Sequence, residues 1–452
     1  MDTLNNSASN SKHDIYLDTK DLDTDGASKD LEIGGIIDKS AAPTIFMDET
    51  SYIPPPDKGY AWIIMLACTF NLMLAFGSFN AFGVFQTYYL RVLFPNESAS
   101  YIAWISTICG VATFTGGLSA SSIVRRLGLR YSSLLGTLIC VIGLLSASFS
   151  TKVWHFMITQ GLIFGYGSSI IINISLTVPA LWFHEKRALV YGIVASGGGF
   201  GALILIPIVN KVIAASGIEW AFRALCFVYL FVTGIGGFLL KPRSTFTPSD
   251  VMIDFKLLKD PKTIALCLVG FFMQIGFNVP ALYFPTNLVL IGKTPLQATD
   301  YIMVFCTCTA LSRAITGYLT RFFKPTTILF VGHVLSGVVM LAMWYTSDKF
   351  VVLILFYIIF GFVCIPYMTL GPSITSEYFV PENISQVNAL CYLAMGLAVL
   401  ISLPSVGVAF EKLGHKTNFS AIIIIGSVAY FASALSVIYL HYTLKNTINA
   451  EK

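Results

Sequence analysis

Twelve stretches of predominantly apolar residues follow one another from Tyr60 onward. Each is long enough to cross about 30 Å of hydrocarbon as a helix of roughly 20 residues. They are read at 60–85, 101–122, 131–151, 153–177, 188–210, 220–240, 263–288, 300–320, 327–346, 351–375, 385–409 and 419–441. A chain built this way is predicted to be an all-α polytopic membrane protein. Composition agrees, because 55% of the residues are hydrophobic and only 12% are charged, against about 25% charged in soluble domains. A soluble fold of 452 residues cannot hide that much apolar surface.

The one sizeable interruption, Lys241 to Lys262, separates two six-helix halves, residues 60–240 and 263–441. The expected organisation is a disordered acidic cytosolic tail (1–57), an N-terminal half (58–240), a cytosolic linker (241–262), a C-terminal half (263–441) and a short cytosolic C-terminal tail (442–452). Halves of equal length suggest an internal duplication. Two short echoes agree with it: Thr115-Gly116-Gly117-Leu118 with Thr316-Gly317-Tyr318-Leu319, and Trp182-Phe183 with Tyr378-Phe379.

Charge is distributed unevenly. Residues 1–57 hold four Lys and twelve Asp or Glu, a balance of −8, while the remainder holds 24 basic and 12 acidic residues, a balance of +12. The tail's polar composition cannot offset the entropy of ordering it. Lys and Arg set orientation through the short loops. With the amino terminus cytosolic, the inner segments carry fifteen of them and the outer loops seven. Both termini are therefore expected inside, and the first membrane helix is expected to direct insertion, because the first 50 residues contain no signal-like apolar run. All nine cysteines lie inside apolar segments with no metal-type CxxC pair, so neither a disulfide framework nor a metal site is indicated. No HExxH, GxSxG, P-loop or paired carboxylates appear, so no enzyme is expected and no cofactor is implied.

Two motifs carry a resemblance. Asp57-Lys58-Gly59-Tyr60-Ala61-Trp62, opening the first helix, is similar to the first signature of the monocarboxylate porters, a branch of the major facilitator superfamily. Trp182-Phe183-His184-Glu185-Lys186-Arg187, leading through Ala188 and Tyr191-Gly192 to Ser196-Gly197, resembles that family's second signature. The resemblance spans residues 57 to 441, and the acidic tail and variant first signature are closer in character to the fungal homologues than to animal lactate carriers. It implies twelve helices and alternating access between the halves, with a small organic solute and the lipid bilayer as partners and no nucleic acid. The chain is expected to act as a monomer.

Arg125, Arg126 and Arg130 lie in a basic turn after the second helix and resemble the superfamily's gating cations; Lys186 and Arg187 are read likewise, with topology determination as the other reading of all five. Gly192, Gly197, Gly198, Gly199 and Gly201 put small residues on more than one face of the fifth helix, which favours close packing. Arg313, deep in the eighth helix, stands out, because a cation in hydrocarbon is expensive and normally faces a polar cavity or a partner. Asp300, the nearest acid in sequence, is about 20 Å away along the helix, out of pairing range. The resemblance implies that Arg313 meets the substrate's anionic group.

The departures from the family are specific. Its carboxylate carriers have an Asp where this chain has Thr309 and a Lys where it has Asn80. No Asp or Glu occupies the middle of any of the twelve helices, so the usual proton carrier is not visible. His333, in the ninth helix, titrates nearest neutrality; its readings are a structural hydrogen bond or proton coupling. Asn80, Asn173, Gln274, Asn278 and Arg313 are the polar residues expected to line a central cavity, among 35 Phe and 21 Tyr. Amides and aromatic faces suit a heteroaromatic or amide-bearing solute. The expected function is a secondary transporter for an organic anion or a larger, partly anionic metabolite, such as a flavin-like or metal-chelating compound. The alternatives are a proton-coupled monocarboxylate transporter and a non-transporting substrate sensor. The expected location is the plasma membrane, with the vacuolar membrane second. Asn96-Glu97-Ser98, in an outer loop, is a glycosylation sequon.

Overall fold

The computed structural model describes residues 54–243, 254–415 and 417–450. Residues 1–53 of the expected acidic tail and 244–253 of the expected linker lie outside the described residues. Among the described residues eleven helical segments are long and apolar enough to cross a membrane, and one of them, Tyr101–Ala147, has 47 residues, about twice what one crossing needs. It breaks at Gly128, whose φ of 77° is a left-handed conformation that glycine adopts without penalty. The crossings among the described residues therefore number twelve: α1 (Tyr60–Tyr88), α2 (101–127), α3 (129–147), α4 (Val153–Trp182), α5 (Arg187–Ser216), α6 (Ile218–Leu239), α7 (Pro261–Leu290), α8 (Pro295–Leu319), α9 (Pro325–Tyr345), α10 (Phe350–Tyr378), α11 (Pro381–Lys412) and α12 (Ser420–Ala450).

Several helices overrun the lengths read from hydropathy, because their ends are fixed by capping. Asp260 and Thr294, just ahead of Pro261 and Pro295, accept from the backbone N–H groups of Lys262 and Gln297, and Thr294 forms a reciprocal capping box with Gln297. The last helix continues to Ala450, so residues 442–450 extend α12 where a separate tail was expected.

The helices are apolar toward lipid and small or polar toward each other. On α6, Phe227, Phe231, Ile235 and Phe238 are each about 60% exposed on one face, while Thr233, Gly236 and Gly237 are buried on the other. Since lipid removes the hydrophobic drive for helices to associate, close backbone approach has to replace it. The glycines of α5 supply that approach toward two helices. A Cβ on Gly201 would collide with the carbonyl oxygen of Met73 in α1, one on Gly199 would lie 2.7 Å from the Cys306 carbonyl oxygen in α8, and one on Gly198 would lie 2.8 Å from Arg313 Nη1. Gly192 likewise meets the Arg313 backbone. Thus α5 is pinned to α1 within its own half and to α8 of the other.

Candidate translocation site

The two sequence motifs, some 125 residues apart, fold into one knot. Asp57, itself at φ 59°, directs its carboxylate at the N-terminus of α5, accepting from the backbone N–H groups of His184 (3.1 Å), Glu185 (3.3 Å) and Lys186 (3.1 Å). An anion there answers the unpaired donors and the positive end of the helix dipole. Above it, Tyr60 packs on Trp182 (5.6 Å between ring centres) and Trp62 on Phe183 (5.5 Å). Trp182 Nε1 donates to the Lys241 carbonyl at 2.8 Å, and Tyr60 donates to the Leu239 carbonyl at 2.8 Å. Lys186 Nζ lies 5.4 Å from the centre of the Trp62 ring. The knot therefore ties α1, α4, α5 and α6 together, and Lys186 serves within the first half.

At the same end of the bundle, which carries the basic α2–α3, α4–α5 and α8–α9 turns, the halves are bolted to each other. Arg187 Nε donates to the Phe183 carbonyl at 2.7 Å while its Nη1 crosses to the Ser376 carbonyl on α10 at 2.6 Å. Asn173 Nδ2 donates to the Ser385 carbonyl on α11 at 3.2 Å, and the Ser385 hydroxyl donates back to Asn173 Oδ1 at 2.6 Å. The space left beside this pair, lined by Ser121, Thr177 and both partners, is about 10 Å³, room for at most one water. These bonds close the space between the halves at this end, and Asn173 lies in that contact. Arg125, Arg126 and Arg130 stand exposed in the α2–α3 turn.

Deeper in, Arg313 is 7% exposed and makes a single side-chain hydrogen bond, Nη1 to the Ala195 carbonyl of α5 at 2.8 Å. Its Nε is buried without a partner, and no carboxylate pairs with it among the described residues. Because Gly198 has no side chain, the guanidinium and Phe76 of α1 both close on that point of α5, each about 2.8 Å from where a Cβ would stand. Phe76 begins an aromatic wall: its ring lies 6.4 Å from Phe114 of α2, which is 6.2 Å from Phe79 and stacks on Tyr392 of α11 at 5.8 Å. An arginine without a carboxylate partner among the described residues thus stands beside Phe76, the first of four linked aromatic rings drawn from both halves. Thr309, four residues before Arg313, returns its hydroxyl to the Cys306 carbonyl of its own helix at 2.9 Å.

The other expected residues make contacts of their own. Gln274 Nε2 donates to Asn278 Oδ1 at 2.8 Å, and Asn278 Nδ2 donates to the Ser402 hydroxyl at 2.8 Å, a chain joining α7 to α11 that leaves Gln274 Oε1 buried and unpartnered. Asn80 is half-buried beside the interruption of α1 at Ala81, its side chain without a hydrogen bond among the described residues. His333 is fully buried, 3.0 Å from the Ser433 hydroxyl of α12, with its ring 6.0 Å from Tyr430. The Ser433 hydroxyl donates to the Val269 carbonyl at 2.9 Å, which leaves its oxygen to accept from His333 Nδ1, and His333 Nε2 is buried without a partner. All of these contacts lie within the second half. Asn96 is exposed in the α1–α2 loop. Among the described residues no group of three or more His, Cys, Asp or Glu is placed to hold a metal.

Residues 61–288 match the Major Facilitator Superfamily. The chain belongs to that superfamily and is a multi-pass membrane transporter. It is 26% identical over 389 residues to "MFS transporter asaE" of Aspergillus flavus, covering 84% of this chain and 88% of the relative. It is 27% identical over 362 residues to the "Fujikurins efflux protein" of Gibberella fujikuroi, covering 78% of this chain and 76% of the relative. Among solved structures, the proton:xylose symporter XylE bound to 6-bromo-6-deoxy-D-glucose superposes with a TM-score of 0.69 at 15% identity, over 83% of this chain and 94% of that one, a likeness of fold.

Proposed function

We propose that this protein is a secondary carrier of the monocarboxylate-porter type that moves a bulky, partly anionic organic solute by alternating access. The observation that carries the reading is Arg313: a desolvated guanidinium with one carbonyl partner, an unpartnered Nε and no carboxylate, set among aromatic rings contributed by both halves. A buried cation left this incompletely paired is costly, and a ligand carboxylate or enolate would supply the missing charge and acceptors. Phe76, Phe79, Phe114 and Tyr392 favour a ligand with a flat conjugated body over a short aliphatic acid. The relative named for efflux of fujikurins supports an organic solute and an outward direction of flux.

Thr309 and Asn80, where carboxylate carriers hold ionisable residues, and His333, engaged within the second half, support transport with little proton coupling. In this reading the closed gate at the basic end faces the cytosol, both termini are cytosolic and the membrane is the plasma membrane. Arg187 and Asn173 are gate residues, and Arg313 with the aromatic wall is the substrate site. The test is uptake of a panel of labelled organic acids into liposomes containing the purified protein. Exchange of a conjugated acid that is lost in Arg313→Ala supports the reading, and no exchange by any member of the panel refutes it.

A further inference from the structure

Between α8, α9 and α10 the outer surface opens into an apolar groove of about 380 Å³, on the face of α8 that carries Ser312, Ile315 and Thr316. The sequence explains its depth. Gly332 lets α9 lie against Pro366, since a Cβ there would come 2.9 Å from the proline ring, and α10 is interrupted at Cys364–Pro366. Its walls include Ile315, Leu319, Val331, Leu335 and Phe362, and its end at the α8–α9 turn is Phe323. That turn reads Arg321-Phe322-Phe323-Lys324, with all four side chains exposed, and no Asp or Glu occurs between Asp300 and Asp348. A hydrocarbon slot of ligand-site volume thus ends under two cations with no acid on α8 or α9 nearby to neutralise them.

We propose that this groove binds an anionic glycerophospholipid from the leaflet at the basic end of the bundle. One acyl chain lies along Ile315, Val331 and Leu335, and the phosphate is held by Arg321 and Lys324. Charge complementarity selects this occupant, since each cation near the surface favours an anionic over a zwitterionic lipid by about five-fold. The bound chain lies against Ser312, whose hydroxyl donates to the Phe362 carbonyl at 2.5 Å and which immediately precedes Arg313. The lipid therefore braces α8 against α10 where α8 presents its buried cation.

The test is native mass spectrometry of the full chain in non-ionic detergent with equal concentrations of phosphatidylserine and phosphatidylcholine. Wild type is expected to retain phosphatidylserine with a preference of roughly tenfold or more, and the double variant Arg321→Glu/Lys324→Glu to fall to parity. Val331→Trp and Ile315→Trp, each at a side chain 47% exposed and so compatible with folding, fill the slot and are expected to lose bound lipid of either kind. Equal retention of the two lipids by wild type, an unchanged preference in the charge-reversed variant, or a wild-type lipid load in both tryptophan variants would overturn the proposal.

Discussion

Removing the bolts at the basic end should open it. Asn173→Ala deletes two hydrogen bonds between α4 and α11, the 3.2 Å bond to the Ser385 carbonyl and the 2.6 Å bond from its hydroxyl. At about 0.5–1.5 kcal/mol each, the closed state loses roughly 1–3 kcal/mol relative to a state in which the halves are parted. That is a 5- to 150-fold shift in the ratio of the two populations. Arg187→Ala removes a charge-assisted bond to the Ser376 carbonyl, about 1.5–3 kcal/mol more. The readout is the distance between spin labels on non-natural residues at Leu127 in the α2–α3 turn and Phe322 in the α8–α9 turn, which are 45% and 65% exposed. Such labels leave the nine native cysteines in place. Wild type should give one short, narrow population, Asn173→Ala a second and longer one, and the double variant mostly the longer. An unchanged distribution in the double variant would show that these contacts do not hold the gate.

Three further outcomes follow from the same geometry. Gly201→Val drives a side chain into the Met73 carbonyl and should lower the stability of the folded protein by several kcal/mol, read as a lower melting temperature and poor recovery from detergent. Asp57→Ala strips the α5 N-terminus of three acceptor contacts and should lower the melting temperature by more than Asp57→Asn, which keeps one carbonyl oxygen in place. Solute flux in proteoliposomes should change less than about two-fold when a protonophore collapses the proton gradient, since Thr309 stands where the resemblance places a proton carrier and His333 is engaged by Ser433 within the second half; a flux that collapses would return proton coupling to the mechanism.

Hydropathy alone was enough to read the twelve crossings, because a bilayer demands long apolar runs and little else in this chain is apolar for so long. It placed the helix ends poorly, since Asp260, Thr294 and the continuation of α12 to Ala450 depend on capping and hydrogen bonding that a hydropathy count does not register. Arg313 was legible for an energetic reason: a lone cation in an apolar helix has to be answered by something. Its surroundings were not. Nothing in sequence singles out Phe76, Phe79, Phe114 and Tyr392 among the 35 Phe and 21 Tyr of the chain, because convergence of α1, α2, α8 and α11 is a property of packing. Likewise Asn173 reads as a cavity amide until Ser385, 212 residues on, is found opposite it. The two sequence motifs, at Asp57–Trp62 and Trp182–Arg187, were visible separately. Their union through Asp57 and the α5 N-terminus is long-range, and it accounts for both motifs as parts of one structural joint.

The central claim is that the unpaired guanidinium of Arg313 receives an anionic solute. Two charge-assisted bonds to a carboxylate, at about 1.5–3 kcal/mol each, make Arg313→Ala a loss of at least roughly 100-fold in transport efficiency, with Arg313→Lys recovering part of it because the charge survives and the fork does not. The decisive measurement is initial-rate uptake of a conjugated organic acid into liposomes containing equal amounts of folded wild type, Arg313→Ala and Arg313→Lys. The account predicts background flux for the alanine variant and intermediate flux for lysine. Wild-type flux in Arg313→Ala would contradict it.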